Sequence, residues 1–130
     1  MRTMNVKFVA VVDDEAPVRL ALRRLLCLAG YSVVTCSSGE DFIDALANHR
    51  PDCALLDMRM PGMSGLEVQA HLQAKGIALP VVFITASDDP TLERKALQAG
   101  AVRVLNKPFS NLDLLAAVEH ALRSTPCATR

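Results

Sequence analysis

The chain has 130 residues, 51% of them hydrophobic, with 14 basic and 14 acidic side chains and a formal net charge of zero. That length suits one domain with a complete core, and the apolar content excludes a disordered chain. The absent basic excess argues against a free-standing nucleic-acid binder. No apolar stretch approaches a membrane span, and the short apolar run after Lys7 is wrongly flanked for a signal peptide, which points to the cytoplasm.

Phe8–Val12 is a continuous apolar, β-branched run, as expected of a strand buried on both faces. It ends at Asp13-Asp14-Glu15. A helix is expected from Pro17 to Gly30, with Val18, Leu22, Leu25, Leu26 and Ala29 inward and Arg19, Arg23 and Arg24 on the other face. Ser32–Cys36 reads as a second strand. A helix begins at Ser37-Ser38-Gly39, with Phe42, Ile43, Leu46 and Ala47 as its stripe, and ends near Pro51. Cys53–Leu56 is a third strand and Gly65–Lys75 a third helix. Pro80–Thr85 is a fourth strand, and Pro90–Ala99 a helix stopped by Gly100. Val102–Leu105 is a fifth strand. Asn111 or Ser110 caps a last helix with Leu115, Val118 and Leu122 inward. The domain is expected over 1–123, with Ser124–Arg130 a tail or the start of a linker.

Five alternations of strand and helix imply a parallel sheet with helices on both faces and right-handed crossovers. In such sheets ligands bind beyond the carboxyl ends of the strands. Those ends carry Asp13 and Asp14, Asp57, Thr85 and Lys107; the second strand ends in Ser37-Ser38. Each residue alone has a plain structural use: a strand-end cap, a helix-dipole partner, a solvated lysine, a β-branched strand residue. Together they form a group. Three neighbouring carboxylates repel one another and call for a cation. With no His or Cys beside them, hard oxygen donors favour Mg²⁺. A lysine and a hydroxyl complete a pocket suited to a phosphoryl group, with Asp57 as the attacking oxygen.

The acidic pair Asp13-Asp14, the run Asp57-Met58-Arg59-Met60-Pro61-Gly62-Met63-Ser64-Gly65, Thr85-Ala86 and Lys107-Pro108-Phe109 occur in order. In these the chain resembles the receiver domains of two-component response regulators, from Phe8 to Arg123. The resemblance implies a flavodoxin-like, doubly wound five-stranded parallel sheet of order 2-1-3-4-5. It implies phosphoryl transfer to Asp57 from a histidine kinase or phosphotransfer protein. It implies Mg²⁺ held by Asp14, Asp57 and the Arg59 backbone carbonyl, with Asp13 acting through water, and Lys107 on the phosphoryl group. It also implies a cis Lys107-Pro108 peptide, and a dimer surface on the last two helices and fifth strand. The chain is then a phosphoacceptor rather than a turnover enzyme, with no route to DNA through these residues.

Two positions depart from or embellish that pattern. Receivers usually carry Tyr or Phe three residues before the lysine, and here Val104 stands there. Output is therefore expected to rely on the Ala86–Asp89 loop and the helix after it. Arg59 is expected over the pocket mouth, paired with Asp14, Asp88 or Asp89 and slowing loss of the phosphoryl group. A dehalogenase-like phosphatase would want a second Asp where Arg59 stands. A phosphorylation-independent interaction module finds support in Val104 alone, and no glycine-rich nucleotide motif follows the first strand. His49, His71 and His120 are read as helical and not metal-binding, and Met58, Met60 and Met63 as packing. Pro17, Val18 and Ala21 are candidates for a kinase-docking face. Cys27, Cys36 and Cys53 are read as buried thiols, leaving Cys127 as the reactive one.

Overall fold

The computed structural model describes residues 6–86 and 89–124. Five parallel strands form one sheet of order β2-β1-β3-β4-β5: β1 Phe8–Val12, β2 Ser32–Cys36, β3 Cys53–Asp57, β4 Val81–Thr85 and β5 Arg103–Asn106. The helices between and after them are α1 Ala16–Leu28, α2 Gly39–Leu46, α3 Gly65–Ala74, α4 Pro90–Gln98 and α5 Asn111–Arg123.

Strand side chains alternate between faces, and the two cores follow that period. Val9, Val11, Cys53, Leu55, Val82 and Ile84 pack under α1 and α5. Ala10, Val12, Ala54, Leu56, Val81 and Phe83 pack under α2, α3 and α4. The three central strands are buried on both faces, so they read as unbroken apolar runs.

Helix starts follow capping chemistry. Ser38, Ser64 and Ser110 each accept a backbone N–H of the first turn. Ser110, not Asn111, is therefore the cap of α5. Ser64 and Glu67 form a reciprocal capping box that fixes where α3 begins after the β3 loop. At the other end of α3, the buried Gln69 donates from Nε2 to the Ala99 carbonyl at 2.8 Å, and Gln73 Nε2 donates to the same oxygen. This closes the C-terminus of α4, where an exposed carbonyl would otherwise lack a partner.

Several expected inward positions shift. In α5 the buried stripe is Leu114, Ala117, Val118 and Ala121; Leu115 and Leu122 are half-buried. Leu114 fills the space against the sheet, and the two small alanines lie on the same buried face. Ala29 and Ala47 are exposed, because each lies past the last seated turn of its helix. α2 ends at Leu46 rather than near Pro51, and the amides of Asn48 and His49 both turn back to the Ala45 carbonyl. His49 is thus outside a helix, with its ring edge-on to Phe8. Cys36 and Cys53 are buried, but Cys27 is exposed. It follows Leu26 by one residue, about 100° round the helix from the buried face. Cys127 lies outside the described residues, as does the stretch 125–130 of the expected tail. Met58 and Met60 pack in the core, and Met63 lies half-buried against it. Among the described residues, no helix is long and apolar enough to cross a membrane.

Candidate functional site

The sheet register sets the site. Val12 lies beside Leu56, Asp57 beside Ile84, and Thr85 beside Asn106. The residues that end or follow these strands therefore meet at one edge. The Met58 amide donates to the Ile84 carbonyl at 2.8 Å, and the Lys107 amide to the Thr85 carbonyl at 2.8 Å. Those two bonds carry the ladder one step past the strands and hold the loops that leave Asp57 and Thr85.

Three carboxylates converge there. One oxygen each from Asp13, Asp14 and Asp57 lie within 4.8 Å of one another. Asp13 and Asp57 are buried and Asp14 is exposed. Thr85 is buried, and Lys107 is half-buried with its Nζ 4.0 Å from Asp13 Oδ2. Asp13 Oδ1 accepts the Glu15 amide at 2.9 Å, whereas its Oδ2 is buried and accepts no hydrogen bond. Asp57 Oδ1 accepts the Arg59 amide at 3.3 Å. All five residues expected from the strand ends are thus brought together.

Burial is the first cause of the pocket's electrostatics. It pushes the Asp57 carboxyl up to about 6, with the Asp13 charge adding to the rise. The Arg59 amide and the Lys107 ammonium pull the other way. Burial also raises Asp13, opposed by the Glu15 amide and by Lys107. Like charges in a desolvated pocket disfavour joint ionisation, so the trio lacks positive charge even with Lys107 present. An all-oxygen donor set, a buried oxygen without a partner and a deficit of cation fit a small hard divalent ion such as Mg²⁺.

Backbone details hold the pocket in shape. The Lys107-Pro108 peptide is cis, as the resemblance implies. Gly62 has φ of 79°, a conformation open to glycine in the turn after Asp57. A Cβ on Gly65 would lie 2.5 Å from the Asp57 carbonyl oxygen and 2.9 Å from Phe83 Cε1. Only glycine lets α3 start against the end of β3. The sequence marked Gly65 as a helix opener and gave no sign of this closeness.

Other expectations fare differently. Arg59 is exposed, along a shallow depression with Met58, Met60, Pro61 and Ser64. Its pairing with Asp14 is not formed among the described residues, and Asp88 lies outside them. Arg19 was expected on a solvated face. It is half-buried instead, and its Nη1 donates to the Asp13 carbonyl at 2.8 Å. Val104 is half-buried opposite Phe83, against the core under α4.

A family model of the response regulator receiver domain matches residues 9–119. The chain is 43% identical over 117 residues to the response regulator MprA of Mycobacterium sp. (strain KMS), which covers 90% of this chain and 51% of that protein. It is 42% identical over 121 residues to the transcriptional regulatory protein TdiR of Thauera aromatica, over 93% of this chain and 53% of that one. The chain thus spans about half the length of these relatives. Among solved structures, FixJ-N aligns with a TM-score of 0.86 at 35% identity, covering 92% of this chain and 96% of that one. The response regulator StyR aligns with a TM-score of 0.81 at 42% identity, covering 92% and 61%. Receiver domains are signalling domains that work with histidine kinases and generally bind Mg²⁺ at an acidic pocket. The fold, the acidic pocket and these likenesses agree: the chain belongs to the response regulator receiver domain family.

Proposed function

We propose that Asp57 accepts a phosphoryl group from a phosphohistidine on a histidine kinase or phosphotransfer protein. The observation that carries this reading is the cluster of Asp13, Asp14 and Asp57 oxygens within 4.8 Å, with Lys107 4.0 Å from Asp13. In the transfer an Asp57 carboxylate oxygen bonds phosphorus, the phosphorus–nitrogen bond breaks, and the imidazole leaves with its electron pair. Asp14, Asp57 and the Arg59 backbone carbonyl would hold Mg²⁺, with Asp13 acting through water. When bound, the ion neutralises the carboxylates and the charge of the transferring group. Lys107 contributes a second positive charge to the phosphoryl oxygens, and the Thr85 hydroxyl a hydrogen bond. The chain is a phosphoacceptor, and Arg59, where a phosphatase would carry an acid, argues against turnover of outside substrates.

A groove of about 510 Å³ beside Lys107 supports the docking of the donor there. Pro17, Val18, Ala21 and Leu25 of α1 face Pro108 and Phe109 across it. Its apolar walls suit a helix-in-groove contact next to the phosphoryl pocket.

The signal leaves through α4. Ala96 is its one buried side chain among the described residues, so little packing energy resists its movement. With Val104 in place of an aromatic side chain, the loop after Thr85 and α4 carry the change. Association through α4, β5 and α5 is the proposed outcome. The receiver unit is proposed to be 1–123, working in the cytoplasm without touching nucleic acid itself.

Incubation with acetyl phosphate and Mg²⁺, read by intact mass, tests the proposal. The wild type is expected to gain one phosphoryl group, and Asp57→Ala or chelation of the metal to abolish the gain. No gain in the wild type would favour a phosphorylation-independent module.

A further inference from the structure

β2 is one edge of the sheet, and its outward side is open. Two hydrogen bonds fix which residues face β1: the Ser32 amide donates to the Lys7 carbonyl at 2.9 Å, and the Asp13 amide to the Cys36 carbonyl at 3.1 Å. Along a strand the peptide groups alternate sides. Ser32, Val34 and Cys36 therefore engage β1, and the N–H and C=O groups of Val33 and Thr35 point away from the sheet. No hydrogen bond to those groups is found among the described residues.

The strand sequence Ser-Val-Val-Thr-Cys contains no charge and no proline, the usual devices that blunt an edge. Beside it lies a groove of about 440 Å³, lined by Val33, Val34 and Thr35 and by Ala16, Arg19, Leu20 and Arg23 of α1. Leu20 is 48% exposed there. Arg19 is held by its bond to the Asp13 carbonyl, so its guanidinium is pre-organised. Neither arginine pairs with a carboxylate among the described residues, and the groove lining holds no acidic side chain.

We propose that this edge is a docking site for an extended acidic segment of a partner protein, which adds a strand beside β2. The Val33 and Thr35 peptide groups supply the ladder, Leu20 takes an apolar side chain, and Arg19 and Arg23 pair with carboxylates. The charge pattern selects this occupant over others. The end stretches 1–5 and 125–130 contain Arg2 and Arg130 and no acid, so they do not complement the groove. A second copy paired symmetrically through β2 would bring the same arginines of both molecules to one seam.

The test uses a capped hexapeptide, Glu-Thr-Val-Thr-Glu-Thr, which sets two glutamates and a valine on one face of an added strand, and supplies it to the whole chain at up to millimolar concentration. Amide exchange and resonance shifts are read by NMR. Exchange of the Val33 and Thr35 amides is expected to slow at least tenfold at saturation. Arg23→Glu, at an exposed helix position, is expected to weaken binding at least fivefold, and the same peptide with lysine in place of both glutamates to bind no better than that. The same peptide N-methylated at every residue, which has no N–H to give to the Val33 and Thr35 carbonyls, is expected to leave both amides unprotected. Absence of slowing in the wild type would overturn the proposal. So would equal protection by the lysine or the N-methylated peptide, or protection that rises with protein concentration alone.

Discussion

Lys107 Nζ stands 4.0 Å from Asp13 Oδ2, a buried carboxylate oxygen that accepts no hydrogen bond. At that separation the ammonium makes a charge–charge contact with this oxygen without a hydrogen bond. Removing it leaves the acidic pocket with still less positive charge. In Lys107→Ala the coupled carboxylates of Asp13 and Asp57 are expected to titrate at higher pH than in the wild type. Carboxyl-carbon NMR titration checks this. An unchanged titration would mean that Lys107 is solvated and plays no part in the pocket.

The raised Asp57 carboxyl makes stability depend on pH. Its value moves from 3.8 to about 6, so between those values the folded protein binds more protons than the unfolded chain. Stability without added metal should therefore fall as pH rises through about 4 to 6. Two units correspond to roughly 3 kcal/mol at most. Asp57→Asn removes the charge at nearly constant shape. It is expected to exceed the wild type in urea stability at pH 7.5 and to match it near pH 4. A variant less stable than the wild type at pH 7.5 would contradict the sign.

Gly65 is the residue whose replacement should most directly disturb Asp57. An added Cβ meets the Asp57 carbonyl oxygen at 2.5 Å, and neither that backbone nor the buried Phe83 can give way easily. Gly65→Ala is expected to cost about 1–3 kcal/mol by overpacking. It should also weaken Mg²⁺ binding, because β3 must shift to admit the methyl group. Urea denaturation and a metal titration measure the two effects. An unaltered variant would show that the close approach relaxes freely.

Thiol chemistry separates the cysteines. Cys27 is exposed at the end of α1, whereas Cys36 and Cys53 are buried and burial pushes the Cys53 thiol up to about 12. Iodoacetamide labelling of the folded protein, read by peptide mass, is expected to modify Cys27 while sparing Cys36 and Cys53. Labelling of Cys53 without denaturant would contradict its seat in the sheet.

The alternation of apolar runs and amphipathic segments was enough to expect this sheet, because three of its strands are buried on both faces and show it in composition. The strand-end residues Asp13, Asp14, Asp57, Thr85 and Lys107 were legible for the same reason: parallel topology sends every such end to one edge. Side-chain seating was less legible. Leu114 and Leu115 are equivalent in composition, and packing on the sheet, helped by Ala117 and Ala121, decides which one is buried. Arg19 and Cys27 lie close to the boundary of the buried face of α1, where one residue changes exposure. Gln69 reads as a surface residue until the Ala99 carbonyl across the α3–α4 gap gives it a partner.

The central claim concerns one carboxylate, and borohydride trapping addresses it at the level of the atom. An acyl phosphate is reduced to an alcohol, which converts a phosphorylated aspartate into homoserine. After treatment with acetyl phosphate and Mg²⁺, sequencing of the reduced chain by mass spectrometry is expected to find homoserine at position 57 and at no other aspartate. Homoserine at Asp13 or Asp14 instead, or a phosphoryl gain with position 57 unreduced, would contradict the account.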